Sequence, residues 1–379
     1  MLLQRVSAAA ADRFTTQLSD RRGGARAELH PARAAAAKRA FTTRRVDLAL
    51  ARQLATKCAP LAGDLVLARV ESIGLHGRLE SPEGRRCRLY VGDEIIVAYG
   101  ARYAPDQFEA VLPDDLGPCD LAAGGGIAAR VTQRHDNVSR PTRIAPIGLL
   151  GDGSGRILNL RRFAIEDPAR PSHHPTVIAV AGTSMNSGKT TTAASLVQGL
   201  ARSGLKVGAA KVTGTGSGGD LWSLVDAGAR CVLDFTDLGH ASTADLDPLE
   251  VERVALAIID RLAHEAVDIA VLEVADGLLQ RETAHLLSSG RFRSRLDGLI
   301  FAAGDAMGAA AGVNWLQERG LPMLAVSGLV TTSPLGVRET EAVTGLPVVG
   351  IPALVDPLFA PKFCLAVPAA AYAVCRADG

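Results

Sequence analysis

The sequence lacks the features that would commit the chain to a membrane, to disulfide bonding or to nucleic acid. Arg, Asp or Gly interrupts every apolar stretch before it reaches the roughly 18 residues of a membrane span. The six cysteines are far apart and form no Cys-x-x-Cys pair, which favours reduced thiols over a disulfide framework or a zinc finger. The 41 basic and 40 acidic residues give a net charge of +1, so no general attraction to nucleic acid or acidic membranes arises. We therefore expect a soluble, cytoplasmic protein that binds neither.

At 379 residues the chain is longer than one hydrophobic core usually serves, and its composition changes along its length. Residues 1–44 are rich in Ala and Arg, which favours a disordered arm or sequence added by a misassigned start; a mitochondrial transit peptide is the alternative. Residues 166–175, EDPARPSHHP, contain three prolines without apolar periodicity and indicate a linker. Two domains are therefore predicted, at residues 45–165 and 176–379.

The pattern of residues 45–165 indicates short strands. The runs LVLARVES, GRLESPEGRRCRLYV and DEIIVAYGARY are each bounded by Gly, Pro or Asp turns. This spacing predicts a β-rich domain that is a small barrel or a sandwich. Three consecutive glycines, Gly124 to Gly126, either let the backbone approach a ligand or form a flexible turn.

The pattern of residues 176–379 alternates apolar strands with amphipathic helices. The strand candidates VIAVAG, KVGAAKV, VDIAVLEV, GLIFAAG, MLAVSG and PVVGIP are nearly continuous apolar runs, as in strands buried on both faces. Between them, TTTAASLVQGLARSG, EVERVALAIIDRLAHEA and GVNWLQERG carry apolar residues at helical spacing. This order predicts an α/β domain with a mainly parallel sheet that is covered by helices on both faces.

The stretch VIAVAGTSMNSGKTTT places Gly-Lys-Thr between a predicted strand and a predicted helix. In this context backbone N–H groups face an anion, Lys189 neutralises the β and γ phosphates, and Thr190 offers its hydroxyl to Mg²⁺. Five residues, instead of the usual four, separate the two glycines of the loop. The predicted nucleotide-binding residues are Gly182, Thr183, Asn186, Ser187, Gly188, Lys189, Thr190 and Thr191.

The order Gly-Thr, four residues and Gly-Lys-Thr resembles dethiobiotin synthetase and its relatives among the cobyrinic-acid amidases, and the likeness extends over about residues 176–360. In KVGAAKVTGTG the resemblance implies that Lys211 lies beside the phosphate-transfer site. In SGGDLWSLVDAG it implies that Asp220 helps to hold Mg²⁺, while a helix N-cap is the competing role. In VDIAVLEVADGLLQ, Glu273 stands near the end of the strand, where a carboxylate can reach the metal. The implied metal ligands are Thr190, Asp220 and Glu273.

The segments that would contact a substrate depart from the family pattern. Val274 and Asp276 stand where the family has glycines, so Asp276 is open to a role as a second metal ligand or a water-positioning group. In VLDFTDLGHAST, which also contains Asp234 and Asp237, a His is flanked by hydroxyls and carboxylates. It binds a polar substrate, shuttles a proton or belongs to a capped loop, and these alternatives stay open. The predicted substrate residues are Thr213, Gly214, His240, Ser242 and Asp276.

The missing motifs narrow the function. No Asn-Lys-x-Asp or Thr-Lys-x-Asp segment occurs in the later strands, so ATP is favoured over GTP. The sequence thus predicts an ATP- and Mg²⁺-dependent phosphoryl-transfer or ligase-type enzyme, with Lys189 and Lys211 as catalytic residues, that acts on a small polar metabolite such as a carboxylate. Two alternatives stay open: a nucleotide-driven switch or accessory NTPase of cofactor or metal-centre maturation, and an acyltransferase related to those that act on D-glutamate. The related synthetases pair into dimers, so a homodimer is open as well.

Overall fold

The computed structural model describes residue 21, residues 24–166, residue 171 and residues 173–365, and these residues form two compact units. The first unit comprises the described residues up to Glu166 together with Gly214–Gly219 and Phe235–Asp245. The second unit comprises the other described residues. Two segments of the predicted domain 176–379 therefore belong to the first unit, which sequence order alone does not indicate.

The first unit is built from strands and has one short helix, α1 (Pro31–Ala36), before residue 166 in the part that the structure describes. Its strands are β1 (Arg26–Glu28), β2 (Lys38–Arg39), β3 (Gln53–Ala55), β4 (Leu65–Ser72), β5 (Arg78–Glu80), β6 (Arg86–Arg88), β7 (Glu94–Tyr99), β8 (Arg102–Tyr103), β9 (Phe108–Val111), β10 (Cys119–Ala123), β11 (Ile127–Arg134) and β12 (Thr142–Gly151). Turns of 3₁₀ helix occur at Phe41–Thr43, Leu48–Leu50, Leu160–Phe163 and Phe235–Leu238.

Five strands of this unit close into a barrel. Going round the ring, β12 pairs with β4, β4 with β7, β7 with β11, β11 with β10, and β10 with β12 again. The β7–β11 pair is parallel, and the other four pairs of the ring are antiparallel. Closure satisfies the edge strands, and it decides between the two predicted β architectures in favour of the barrel.

The barrel strands are buried on both faces over much of their length. In β4, Leu65 and Leu67 belong to one apolar cluster, whereas Val66 and Ala68 belong to a second. Because successive side chains of a strand point to opposite faces, the two clusters lie on the two sides of the sheet. The near-continuous apolar run of β4 follows from this double burial.

Part of the predicted N-terminal arm is folded. Strand β1 pairs with β3 and strand β2 pairs with β7, so residues 24–44 belong to the first unit. Phe41 is fully buried, and Thr42 Oγ1 donates a hydrogen bond to the carbonyl oxygen of Gly126 at 2.9 Å. The arm prediction is therefore wrong for residues 24–44, because small alanines and a single buried aromatic side chain suffice to dock this stretch. Residues 1–20 and 22–23 lie outside the described residues, as do 167–170 and 172 of the predicted linker.

The second unit contains a six-stranded parallel sheet with the order β15-β14-β16-β13-β17-β18. Its strands are β13 (Thr176–Gly182), β14 (Val207–Thr213), β15 (Cys231–Asp234), β16 (Ile269–Val274), β17 (Gly298–Ala302) and β18 (Met323–Ser327). The helices are α2 (Lys189–Arg202), α3 (Gly218–Asp226), α4 (Pro248–His264), α5 (Arg281–Ser288), α6 (Gly290–Arg293), α7 (Ala306–Glu318), α8 (Pro334–Thr344), α9 (Ile351–Leu354) and α10 (Ala360–Leu365). A 3₁₀ turn occurs at Leu329–Thr332.

The predicted α/β class with a mainly parallel sheet is confirmed, with two differences in its strands. Strand β15 is present although its four residues were not predicted as a strand. The predicted strand PVVGIP contributes a single bridge between Val348 and Val326, and helix α9 begins at Ile351. Pro352 has no N–H to donate to a sheet and suits the first turn of a helix, which explains the early end of pairing.

Strand β13 lies in the middle of this sheet, between β16 and β17. Ile178 and Val180 of β13 pack in one core cluster with Leu196 and Leu200 of helix α2. The strand and the helix that follows it are thus fixed against each other. In a parallel sheet the loops at the carboxyl ends of neighbouring strands share one edge, so the loop from β13 to α2 lies beside the ends of β16 and β17.

No helix among the described residues combines the length and the apolar composition that crossing a membrane would need.

Candidate functional site

The loop from Gly182 to Gly188 depends on both of its glycines. A Cβ atom on Gly182 would lie 2.8 Å from the carbonyl oxygen of Ala302 and 2.8 Å from Cγ of Lys189, closer than real Cβ contacts. Gly188 has a φ of 100°, a left-handed conformation that only glycine adopts without strain. The wider spacing of these two glycines is therefore a feature of a tightly folded loop.

Backbone hydrogen bonds hold this loop from three sides. Thr183 N donates to the oxygen of Ala302 at 3.0 Å, at the end of β17. Leu278 N donates to the oxygen of Gly182 at 3.2 Å, and Leu329 N donates to the oxygen of Ser187 at 3.1 Å. The end of β17 and the loops after β16 and β18 thus fix the loop that precedes α2.

Lys189 is the first residue of α2 and its ammonium group bends back over the loop. Lys189 Nζ donates to the carbonyl oxygen of Ser184 at 2.7 Å, and the side chain is buried. Burial lowers the pKa of Lys189, while the carboxylates of Glu273 and Asp276 act in the opposite direction. The structure thus contains the arrangement that the sequence predicts, a glycine-framed loop between a parallel strand and a helix that opens with Lys-Thr, and phosphate binding by this loop stays a prediction. The second unit has the fold of a P-loop NTPase.

Thr190 and Glu273, two of the three implied metal ligands, are in contact. Thr190 Oγ1 donates to Glu273 Oε1 at 2.7 Å. Glu273 Oε2 is buried and accepts no hydrogen bond from any residue that the structure describes. Burial and the nearby Asp220 raise the pKa of Glu273 to about 7. A hydroxyl and an orphaned carboxylate oxygen are ligands that suit Mg²⁺, which keeps most of its shell for phosphates and water.

Lys211 lies between two carboxylates at the same edge of the sheet. Its register partners are Asp234 on β15 and Glu273 on β16. Lys211 Nζ forms an ion pair with Asp220, in the first turn of α3. Burial by itself would lower the pKa of Lys211, but the carboxylates of Asp220, Glu273 and Asp234 outweigh it and raise the pKa. The ammonium group is therefore kept charged.

The ion pair with Lys211 bears on the role predicted for Asp220. From the sequence, Asp220 was predicted to be a metal ligand or a helix N-cap. Helix α3 begins at Gly218, so Asp220 lies inside its first turn and is not the N-cap. Its carboxylate accepts from Lys211. Among the described residues, no group of three or more His, Cys, Asp or Glu side chains is arranged to hold a metal. Thr190 thus contacts Glu273 and Asp220 pairs with Lys211, while the metal-binding roles of these residues stay predictions.

Asp234 is a site residue that the sequence analysis did not select. It is fully buried at the end of β15 and lies directly beside Lys211 in the sheet. The sequence analysis assigned it to a substrate segment because CVLD is too short to be recognised as a strand. The available signal was an acidic residue directly after an apolar run, the same pattern as at Glu273.

The predicted substrate residues fall into both units. Gly214, His240 and Ser242 belong to the first unit, whereas Thr213 and Asp276 belong to the second. Ser242 Oγ donates to the oxygen of Gly214 at 3.3 Å, Thr213 Oγ1 donates to the oxygen of Ala275, and Asp276 N donates to Gln280 Oε1 at 3.3 Å. His240 is buried. The hydroxyls of Thr213 and Ser242 thus make structural hydrogen bonds.

The remaining predicted nucleotide residues line the loop. Ser187 is buried, and its Oγ has no hydrogen-bond partner among the described residues. Asn186 has a φ of 60° and is exposed, Thr183 is partly exposed, and Thr191 is exposed on the first turn of α2.

Comparison with known proteins gives a limited likeness. No family model matches the chain, and no curated protein matches it. Signal recognition particle 54 kDa protein from Aeropyrum pernix K1, in complex with GDP, is 19% identical with a TM-score of 0.35, over 54% of this chain and 50% of that one. The signal recognition particle receptor FtsY from Elizabethkingia anophelis is 18% identical with a TM-score of 0.35, and the match covers 55% of this chain and 75% of that one. The same receptor in complex with GDP is 19% identical with a TM-score of 0.33, and the match covers 54% of this chain and 67% of that one.

The chain spans half the length of the signal recognition particle protein that it matches. At these TM-scores the likeness has no bearing on substrate or reaction. The resemblance to dethiobiotin synthetase stays a prediction.

Proposed function

We propose that the chain is an ATP- and Mg²⁺-dependent phosphoryl-transfer or ligase-type enzyme that acts on a small polar, carboxylate-bearing metabolite. The observation that carries the proposal is the contact between Thr190 and Glu273, whose buried Oε2 accepts no hydrogen bond from the residues that the structure describes. This arrangement supports binding of a nucleotide together with Mg²⁺.

Each charged group then has a separate task. The N-terminus of α2 and Lys189 bind the β and γ phosphates, and Thr190 and Glu273 hold Mg²⁺, which neutralises phosphate charge when bound. Lys211, kept cationic by its carboxylate neighbours, orients the transferred group. The bond between the γ-phosphorus and the bridging oxygen breaks, a substrate carboxylate oxygen bonds to that phosphorus, and ADP leaves.

The charge balance supports a requirement for the metal. Lys189 and Lys211 face the carboxylates of Asp220, Asp234 and Glu273, so these five groups together provide no positive excess for a triphosphate. We therefore expect tight nucleotide binding only with Mg²⁺. ATP is proposed over GTP because the later strands carry no Asn-Lys-x-Asp or Thr-Lys-x-Asp segment.

A nucleotide-driven switch is a second candidate, and one observation favours it. Segments Gly214–Gly219 and Phe235–Asp245 directly follow the strands that carry Lys211 and Asp234, yet they belong to the first unit. A change at these strand ends would therefore reach the barrel unit through the chain itself. The acyltransferase alternative expects a Rossmann-like first half, and the barrel argues against it.

Formation of ADP from MgATP separates the two candidates. The enzyme proposal predicts that ADP formation depends on a metabolite found in a panel of small carboxylates, with Lys211→Ala losing that dependence and Lys206→Ala, an exposed lysine of the same unit, keeping it. Hydrolysis that no metabolite changes, but that a partner protein stimulates, would replace the enzyme proposal with the switch.

A further inference from the structure

Of the three consecutive glycines Gly124 to Gly126, Gly125 lies against another segment of the chain. A Cβ atom on Gly125 would overlap the carbonyl oxygen of Gly216 and lie 2.9 Å from its carbonyl carbon. Gly125 O in turn accepts a hydrogen bond from Thr42 N at 3.0 Å. The close backbone approach of Gly125 is therefore made to Gly214–Gly219, within the first unit.

Glu80 holds the end of the same segment. Gly218 N donates to Glu80 Oε2 at 2.7 Å, and Ser217 Oγ donates to the same oxygen at 3.4 Å. Glu80 is itself fixed, because its own N donates to the oxygen of Gly124 at 2.8 Å and Arg86 lies 3.5 Å from its other oxygen. A buried carboxylate at the first N–H group of α3 satisfies an unpaired donor and complements the helix dipole.

The held segment connects two residues of the proposed phosphate site. Strand β14 carries Lys211 before the segment, and α3 carries Asp220 directly after Gly219. Lys211 and Asp220 form an ion pair, so the intervening chain is a loop closed at its ends by that pair. Where Gly218 is held determines where the first turn of α3, and with it Asp220, meets the ammonium group.

We propose that Glu80 is a positioning residue for the reaction: by binding the first turn of α3 it sets the geometry of the Lys211–Asp220 ion pair. The inference rests on the proposed function of Lys211. It predicts that the phosphate-transfer step depends on the carboxylate of Glu80, which belongs to the first unit. Nucleotide binding, which depends on the loop before α2, does not depend on Glu80.

The test compares Glu80→Ala and Glu80→Gln with Glu94→Gln. Glu94 is a matched control, since this carboxylate of β7 accepts hydrogen bonds from Arg33 at 2.7 and 2.9 Å, within the same unit. We expect Glu80→Ala to lower kcat for ADP formation from MgATP about tenfold while the Kd for MgATP stays within about twofold of wild type. Glu80→Gln keeps an oxygen acceptor for Gly218 N and restores most of kcat.

A second pair of variants tests the contact between Gly125 and the segment Gly214–Gly219. Gly125→Ala places a methyl group against Gly216, and Gly153→Ala, with no atom within 4 Å of the added carbon, is its control. Gly125→Ala should lower kcat as Glu80→Ala does, and both should increase amide hydrogen exchange at Gly214–Gly219. If wild type binds and turns over MgATP but Glu80→Ala keeps the kcat of Glu94→Gln, the positioning role is wrong and the proposed function stands. If wild type binds no MgATP, both are wrong.

Discussion

His76 is a partly buried histidine of the first unit whose surroundings oppose its protonation. Its Nε2 lies 3.1 Å from the oxygen of Ala122 and 3.0 Å from Nη1 of Arg102. Burial and the Arg102 charge lower the pKa of His76 to about 4. The folded protein therefore keeps this imidazole neutral where an unfolded chain, with a pKa of about 6.5, would protonate it.

The pH dependence of stability follows from this difference. Between about pH 6.5 and pH 4 the unfolded state binds more protons, so the free energy of unfolding falls as the pH falls, by up to about 3 kcal/mol from this group. Above pH 6.5 the effect vanishes. Urea unfolding at pH 7 and pH 5 should show a smaller decrease for His76→Gln than for wild type. The exposed His135→Gln should behave as wild type; an equal decrease for His76→Gln would contradict the assignment.

At the residue scale, side chains named by the loop motif were predictable and those assembled by the sheet were not. Gly-Lys-Thr after an apolar strand suffices to select Lys189 and Thr190. Glu273 followed from its place at a strand end and from the family resemblance. Asp234 escaped selection because its proximity to Lys211 depends on the pairing of β14 with β15, which is set by packing distant in sequence.

At the scale of elements, the loop before α2 is the most constrained part of the second unit. Gly182→Ala would force its methyl group against Ala302 O and the Lys189 side chain, both 2.8 Å from the added carbon. We expect a loss of about 1–3 kcal/mol in the free energy of unfolding and at least tenfold weaker MgATP binding. Urea unfolding measures the loss of stability, and isothermal titration calorimetry measures the weaker binding of MgATP.

Gly290→Ala provides the control for Gly182→Ala. Gly290 opens α6, and an added carbon there has its nearest neighbour at 4.0 Å. Alanine favours a helix more than glycine does, so this variant should be neutral or slightly stabilising. If Gly182→Ala matched Gly290→Ala in both stability and binding, the tight loop described above would be incorrect.

The elements themselves divide into those with a strong local signal and those without one. Strands β13, β14, β16, β17 and β18 are near-continuous apolar runs, and all five were predicted. Strand β15 has only four residues, too few for a recognisable pattern, and it was missed. The run PVVGIP is apolar and was predicted as a strand, but it contains Pro352 and passes into helix α9 at Ile351. Barrel closure depends on pairs such as β10 with β12 and β11 with β7, which no local pattern encodes.

At the scale of the whole molecule, the segments Gly214–Gly219 and Phe235–Asp245 belong to the first unit, although in the sequence they lie between stretches of the second. Asp237, in the second segment, forms ion pairs with Arg44 and Arg45. Ile165 N donates to the oxygen of Asp237 at 2.9 Å. These contacts join residues far apart in sequence, which no local sequence pattern encodes.

A fragment of residues 176–379 should therefore fold incompletely. It lacks Arg44, Arg45 and Glu80, and it exposes Ala241, which packs in a core cluster of the first unit. We expect amide hydrogens of residues 235–245 to exchange faster in the fragment than in the full chain, while those of β13 and β16 stay protected. Equal protection of 235–245 in both would contradict the division into units.

The central claim is that the second unit binds a nucleotide with Mg²⁺ through Lys189, Thr190 and Glu273. Isothermal titration calorimetry of the full chain with MgATP, and with ATP in the presence of a chelator, tests it most directly. We predict saturable binding of MgATP that weakens at least about tenfold without Mg²⁺ and in Lys189→Ala, while Lys206→Ala binds as wild type. No heat of binding with MgATP, or equal affinity in wild type and Lys189→Ala, would contradict the claim.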